Sequence, residues 1–245
     1  MQVAALYDVH GNLPALEAVL ADPRCASADL IVCGGDLVAG PLPAECLDRL
    51  EAEGERVRFI SGNCDREVTL PSGHEEWHEH IGGWSAARLG DARLERVRRW
   101  PLTIELEVPG LGQALFCHAT PTSDLRILTK ITPDDEVARE LAGTTSDIVV
   151  CGHTHVQYDR RVDELRVVNA GSVGMPYEGS PDPCWAILDT DGVELVSTPY
   201  DAAAALEVLS ETGFPLLEGW FGRTLRGEVT AEEATESFES RRGGA

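Results

Sequence analysis

The sequence predicts a single α/β domain with mixed parallel and antiparallel strands, on three observations. Short apolar runs recur along the 245 residues, the early ones are followed by leucines at helical spacing, and some later ones are joined by tight glycine turns. The first run, VAALYDVHGN, leads into LPALEAVLAD, where Leu13, Leu16 and Leu20 share a helix face. ADLIVCGGD with LPAECLDRLEAEG, and then RVRFISGNCD, repeat the pattern, so the N-terminal third reads β-α-β-α-β with a buried, largely parallel sheet. From His74 to Trp100 the chain is polar, with Trp84, Leu89, Leu94, Val97 and Trp100 at helix-core spacing before Pro101, which predicts a helical insertion. TIELEV turns through PGLGQ into ALFCH, an antiparallel hairpin. Thr132-Pro133-Asp134-Asp135 predicts a helix start with Thr132 as cap and Pro133 at the first position, running to about Leu141. SDIVVCGHTH, LRVVNAGS, CWAILDTD and VELVSTPY supply four more strands, the last two joined at Asp191-Gly192. The tail from Asp201 is expected to be helical to about residue 226, and residues 229–245 to be disordered.

The charge narrows the partners. Twenty basic against 42 acidic residues give a net charge of −22, which argues against binding to long nucleic acid or to a membrane surface. No apolar run reaches the roughly 18 residues of a membrane span, and the Met1 to Tyr7 start lacks the features of a signal peptide. The seven cysteines, with no C-x-x-C pair, read as reduced thiols, mostly buried, of a cytoplasmic protein.

Metal-type side chains fall where strands end. Asp8 and His10 follow the first predicted strand, Asp36 the second, Asn63 and Asp65 the third, His118 the ALFC run, and His153 and His155 the DIVVC run. One such residue ordinarily caps a turn or helix. Recurrence over five strands points instead to a ligand site at the carboxyl edge of the sheets. Two carboxylates, an amide and four imidazoles suit transition ions better than Ca²⁺ or Mg²⁺, and seven ligands exceed the needs of one tetrahedral ion. Two ions sharing a carboxylate account for the number.

In order along the chain, D-x-H-G-N (8–12), G-D-x-V-x-G-P (35–41), G-N-C-D (62–65), C-H-A-T-P (117–121), G-H-T-H (152–155) and N-A-G-S-V-G (169–174) resemble the motifs of the calcineurin-like metallophosphoesterase superfamily. The chain is similar within it to the small bacterial YfcE-like phosphodiesterase type. The resemblance implies a four-layer α/β/β/α sandwich of two mixed sheets with a helical insertion and a helical C-terminal tail. It also implies two divalent transition-metal ions (Mn, Fe, Ni or Zn). Asp8, His10, Asp36 and His155 would hold the first, and Asp36, Asn63, His118 and His153 the second, with Asp36 bridging. The implied reaction is hydrolysis of a small phosphoester, a diester before a monoester, by a metal-bridging hydroxide, with Asp36, Asn63, His118 and Asp65 forming its catalytic group. Asp65 is expected to orient imidazoles. Two divalent ions would leave a locally positive well in an acidic surface.

Many members carry histidine after the G-N pair, where this chain has Cys64. A thiol is a poorer acid and phosphate donor, which predicts lower activity on esters with poor leaving groups. Ala119 and Ala170 replace a glycine and a proline common in the motifs and leave the ligands intact. Substrate contacts are expected from Arg66 and Cys64, with Arg66 equally suited to a salt bridge. Arg126 carries the same pair of readings. Asn12 is expected to cap the first helix, with phosphate contact as its second role. His74, His78 and His80, beside Trp77, offer either a third metal site or, more simply, a solvated face. No P-loop, nucleophile elbow or dinucleotide fingerprint is present. Alternatives to a diesterase are a phosphatase on phosphoprotein or dinucleoside polyphosphate, and a non-catalytic metal-binding scaffold.

Overall fold

The structure, a computed structural model, describes residues 1–70 and 79–242, apart from the side chains of residues 79 and 80. Ten strands are found among the described residues: β1 (Val3–Leu6), β2 (Leu30–Cys33), β3 (Val57–Phe59), β4 (Thr103–Val108), β5 (Gly112–Cys117), β6 (Ile148–Cys151), β7 (Tyr158–Val162), β8 (Leu165–Asn169), β9 (Cys184–Asp189) and β10 (Gly192–Ser197). They form two five-stranded mixed sheets, ordered β10-β9-β1-β2-β3 and β4-β5-β6-β8-β7. In the first, β1, β2 and β3 run parallel, with Ala4 opposite Ile31 and Leu6 opposite Cys33, while β9 lies antiparallel to β1. In the second, β5, β6 and β8 are parallel, and β4 and β7 are antiparallel edges.

Side-chain alternation along the strands builds the layers. Val3, Ala5 and Tyr7 face inward to meet Ala114, Phe116, Ile148, Val150 and Val168 of the opposite sheet. The Tyr7 hydroxyl crosses this seam and donates to the Val150 carbonyl at 2.9 Å. Ala4, Leu6, Ile31 and Cys33 point the other way, against α1 (Leu13–Ala21), α3 (Pro43–Glu51) and α5 (Glu79–Val97) through Leu16, Val19, Leu47, Leu50 and Leu89. The short helices α2 (Pro23–Ser27) and α4 (Asn63–Val68) precede α5, which is interrupted at Gly90, where φ is +70°. On the outer face of the second sheet, Leu115, Cys117, Val149, Cys151 and Val167 pack on α6 (Asp134–Glu140) through Val137. The helical tail, α7 (Ala202–Ser210) and α8 (Gly222–Leu225), buries Leu209, Phe214, Phe221 and Leu225 against Trp84 and Leu42. The layering is α/β/β/α, as the resemblance implies.

Three elements differ from the sequence reading. β7 was not expected, because Asp159, Arg160 and Arg161 interrupt its apolar pattern; the strand forms as the hairpin partner of β8, with Tyr158 and Val162 buried. Helix α6 begins one residue late, with Pro133 in the cap position, because the Thr132 hydroxyl is engaged with the Thr129 backbone N–H and the Glu239 carboxylate. The segment expected to be disordered carries α9 (Ala231–Arg241). Its start is capped by Thr230, whose side chain accepts the Glu233 N–H, and Glu232 and Glu233 sit in its first turn, where acids favour a helix. Ala234 and Phe238 give it an apolar face. His74, Trp77, His78 and the His80 side chain lie outside the described residues.

Candidate metal centre

The carboxyl ends of β1, β2 and β3 meet those of β5, β6 and β8 along one edge of the sandwich. The loops there are tied to one another by their backbones. Asp8 N–H donates to Gly35 O at 3.0 Å, His10 N–H to Asp36 O at 2.8 Å and Gly174 N–H to Asp8 O at 3.0 Å. Among the described residues six non-glycine residues have positive φ, and five are expected ligands: Asp8 (53°), His10 (48°), Asp36 (53°), His153 (66°) and His155 (57°). Such a backbone is costly for a residue with a Cβ and is retained where the site requires it. Gly35 serves the same loop. Its φ is +100°, and a Cβ there would sit 2.6 Å from His118 Nδ1.

Three imidazoles are anchored alike. His10 Nδ1 lies 3.2 Å from Ala39 O, His118 Nδ1 3.1 Å from Gly34 O, and His155 Nδ1 2.8 Å from Met175 O. A carbonyl can only accept, so each Nδ1 carries a proton and each Nε2 is turned to a shared space. There, His155 Nε2 is 3.3 Å from Asp8 Oδ1, His118 Nε2 is 3.4 Å from Asp36 Oδ2, and His118 Nε2 is 3.1 Å from Asn63 Oδ1. His10 Nε2 lies 3.8 Å from Asp8 Oδ1, 3.9 Å from Asp36 Oδ2 and 3.2 Å from His155 Nε2. Asp8, His10, Asp36, His118 and His155 are each under a tenth exposed. Asp8 Oδ1 is buried with no hydrogen-bond partner among the described residues, whereas Oδ2 accepts the His153 N–H at 2.9 Å. An unpartnered carboxylate oxygen among inward-turned imidazole nitrogens is the donor set a cation needs.

The electrostatics agree. Burial disfavours the charged form of Asp8, yet His155 and His118 beside it hold its carboxyl below the usual range; burial likewise opposes Asp36, where His118 and then His10 prevail and the pKa falls well below it. Burial, and after it the neighbouring His155, pushes His10 down to about 4, and burial with His118 does the same to His153. At His118 burial is outweighed by Asp36 and Asp8, and the pKa rises to about 10. His10 and His153 are therefore neutral at pH 7, as metal ligation requires, and a cation at His118 would replace a proton.

The other expected residues fall into place as follows. Donor atoms within 4.8 Å of one another form three groups: Asp8, His10 and His155; Asp8, Asp36 and His118; and His10, Asp36 and Cys64. Asn63 reaches the centre through its contact with His118. His153 lies beside them, its ring 5.1 Å from that of His118, and is not in any of these groups. Cys64 takes the Asp36 Oδ1 acceptor with its backbone N–H at 2.8 Å, and its thiol is pushed well up by burial and by Asp36, so it stays protonated. Asp65 does not orient an imidazole. Its Oδ1 accepts the Leu37 and Val38 N–H groups, both at 2.9 Å, and its Oδ2 accepts Gly62 N–H at 3.1 Å, so it holds the backbone on either side of Asp36 and Asn63. Asn12 caps α1 by accepting Ala15 N–H and donates to Gly174 O; fully buried, it has no face for substrate. Arg66 makes a two-pronged pair with Asp124 at 2.6 and 3.2 Å, and Arg126 pairs with Glu140 at 3.5 Å. Tyr177, which stacks on His155 at 4.5 Å between centroids, and Ser172, which donates to Asp8 O at 2.7 Å, were not anticipated; neither carries a ligand-type signal in sequence.

A two-sheet sandwich with carboxylates and imidazoles converging at its edge defines the class: a metal-dependent hydrolase. The chain belongs to a particular family of that class, since residues 1–192 match the calcineurin-like phosphoesterase superfamily domain. It is 27% identical over 247 residues to an uncharacterized protein of Methanocaldococcus jannaschii, covering 91% of this chain and 96% of that protein. It is 25% identical over 206 residues to the phosphodiesterase YfcE of Escherichia coli, covering 80% of this chain and 92% of that enzyme. Among solved structures, a metallophosphoesterase from Sphaerobacter thermophilus superimposes with a TM-score of 0.76 at 25% identity, covering 94% of this chain and 99% of that one. The protein is a phosphoester hydrolase that depends on divalent metal.

Proposed function

We propose that the protein hydrolyses phosphodiesters at a two-metal centre. The observation that carries this is the convergence of the His10, His118 and His155 Nε2 atoms on Asp8 and Asp36, with Asp8 Oδ1 left unpartnered in the buried space. Asp8, His10, Asp36 and His155 would hold one ion and Asp36, Asn63, His118 and His153 the other. Bound Mn²⁺, Fe²⁺, Ni²⁺ or Zn²⁺ would polarise the phosphoryl oxygens and lower the pKa of water. The chain's own part is to place these ligands. Carbonyls of Ala39, Gly34 and Met175 fix the imidazole orientation, and Asp65 braces the loop that carries Asp36. Cys64, beside His10 and Asp36, offers a neutral thiol in place of an imidazolium, which supports diesters with good leaving groups over monoesters with poor ones. The net charge of −22 favours small substrates over long nucleic acid. None of the helices among the described residues is long and apolar enough to cross a membrane, and the free cysteines suit a reducing, cytoplasmic compartment.

The test is turnover of bis(p-nitrophenyl) phosphate and p-nitrophenyl phosphate by protein reconstituted with each metal. Faster hydrolysis of the diester is expected. Absence of turnover on both with Mn²⁺, Ni²⁺ and Fe²⁺ would favour the non-catalytic scaffold, and a clear monoester preference would favour the phosphatase.

A further inference from the structure

The buried centre has a defined mouth. Asp8, Asp36 and His118 are at most 2% exposed, whereas Cys64 and His153 are half-buried. Aromatic rings border that opening. Tyr177 stacks on His155, Trp220 meets Tyr177 edge-on at 5.7 Å, and Phe238 lies 6.0 Å from the His153 ring and 6.5 Å from Tyr177. Phe238 is itself half-buried and lies beside a candidate ligand. Helix α9, which carries it, lies beyond residue 192, where the family match ends. Trp220 and Phe238 therefore extend the border beyond the matched family domain, whereas Tyr177 lies within it.

Charge points the same way. The Arg241 guanidinium lies 4.8 Å from the centroid of the Phe238 ring. Arg223 and Arg242, also in the C-terminal segment, are bound by glutamates, but among the described residues no carboxylate pairs with Arg241. Its Nε donates to the Ser237 carbonyl at 3.1 Å, one turn back along α9, which holds the guanidinium beside the ring. A guanidinium without a carboxylate partner among the described residues and a half-buried aromatic ring, side by side next to the candidate ligand His153, match the two parts of an aromatic phosphoester.

We propose that α9 forms a substrate subsite of the metal centre, in which Phe238 stacks a planar aromatic ester substituent, of the aryl or nucleobase class, and Arg241 contacts the phosphoryl oxygens. The inference rests on the phosphodiesterase reading of the same site. It gives this chain a preference that its ligand motifs alone do not specify.

The experiment uses the full chain loaded with Mn²⁺ and two phosphonates that cannot be hydrolysed at the C–P bond, phenylphosphonate and methylphosphonate, with affinities measured by calorimetry. The wild-type protein is expected to bind the phenyl compound about three- to tenfold more tightly. Phe238→Leu keeps an apolar side chain against Val229 and Ala234 but removes the ring face, and should bring the ratio of the two affinities close to one. Arg241→Gln should weaken both compounds by a similar factor. Equal wild-type affinities, or a phenyl preference that survives Phe238→Leu, would overturn the aromatic subsite; unchanged affinities in Arg241→Gln would overturn the role of the guanidinium. If neither phosphonate binds and no diester is turned over, the phosphodiesterase reading falls first. Equal binding of both with diester turnover intact removes the subsite alone.

Discussion

Asp8 divides its carboxylate: Oδ2 secures the His153 backbone, and Oδ1, without a hydrogen-bond partner among the described residues, is the oxygen the proposed centre would offer a cation. Asp8→Asn keeps an oxygen for His153 and places an amide N–H toward His155 Nε2, which relieves the metal-free protein while spoiling the donor set. In the wild-type protein, Mn²⁺ at a hundred times its Kd should stabilise the fold by about 2.7 kcal/mol. That corresponds to a rise in melting temperature of roughly 5–10 °C for a chain of this size. The rise should vanish in Asp8→Asn; thermal melts with and without Mn²⁺ check it, and a retained rise would contradict the role of Oδ1. Cys64→His replaces a neutral thiol by a competent acid. It should increase hydrolysis of esters with poor leaving groups relative to p-nitrophenyl esters, and a leaving-group series that keeps its slope would refute this account of position 64. At this scale the cluster of candidate ligands was legible because Asp and His at strand ends are rare as a set. The roles of Asp65 and Asn12 were not, since their partners, the backbone N–H groups of Leu37, Val38 and Ala15 and the Gly174 carbonyl, leave no mark in a side-chain pattern.

Where α1 hands over to α2, one residue joins three elements. Asp22 ends the first helix and caps the second by accepting Arg24 N–H at 3.0 Å; it also pairs with the Arg24 guanidinium at 2.7 Å and accepts the Thr198 hydroxyl at 3.0 Å. Thr198 in turn accepts the indole N–H of Trp185 in β9. The hydrogen bonds from Arg24, first among these causes, hold the Asp22 carboxyl down at about 2. Its folded pKa is thus below the unfolded value of about 3.9, so the contribution is present above that value and is lost as pH falls toward 2. Asp22→Asn should cost about 1 kcal/mol at pH 7 through the cap and ion pair. Urea midpoints for the two proteins should converge between pH 4 and 2, and a gap that persists at pH 2 would contradict the linkage. Strands and helices with period-2 or 3.6 patterns were readable in advance. β7 was not, because its charges hide the alternation of Tyr158 and Val162, and α9 was not, because its acidic surface masks the apolar pair Ala234 and Phe238 that tertiary contact selects.

At the scale of the molecule, the centre belongs to neither sheet alone. Asp8, His10, Asp36 and Asn63 follow strands of the first sheet, and His118, His153 and His155 follow strands of the second. An ion bound at the proposed centre would therefore clamp the sheets together at one edge. Addition of Mn²⁺ should slow amide hydrogen exchange at residues 34–38 and 152–156 together, and protection confined to one of these loops would contradict a shared centre. The two-sheet architecture was legible through its strand order, but the pairing that closes the first sheet joins Val3 to Leu188 and could not be read from local pattern. That long-range closure also sets a timetable for biogenesis. As the chain leaves the ribosome N-terminus first, Asp8 and Asp36 emerge early, but His155 comes more than a hundred residues later and β9 later still. A half-made chain has half the candidate donor set and an open sheet edge at β1, so acquisition of metal at the proposed centre would be the last act of maturation and would report that both ends of the polypeptide have found each other.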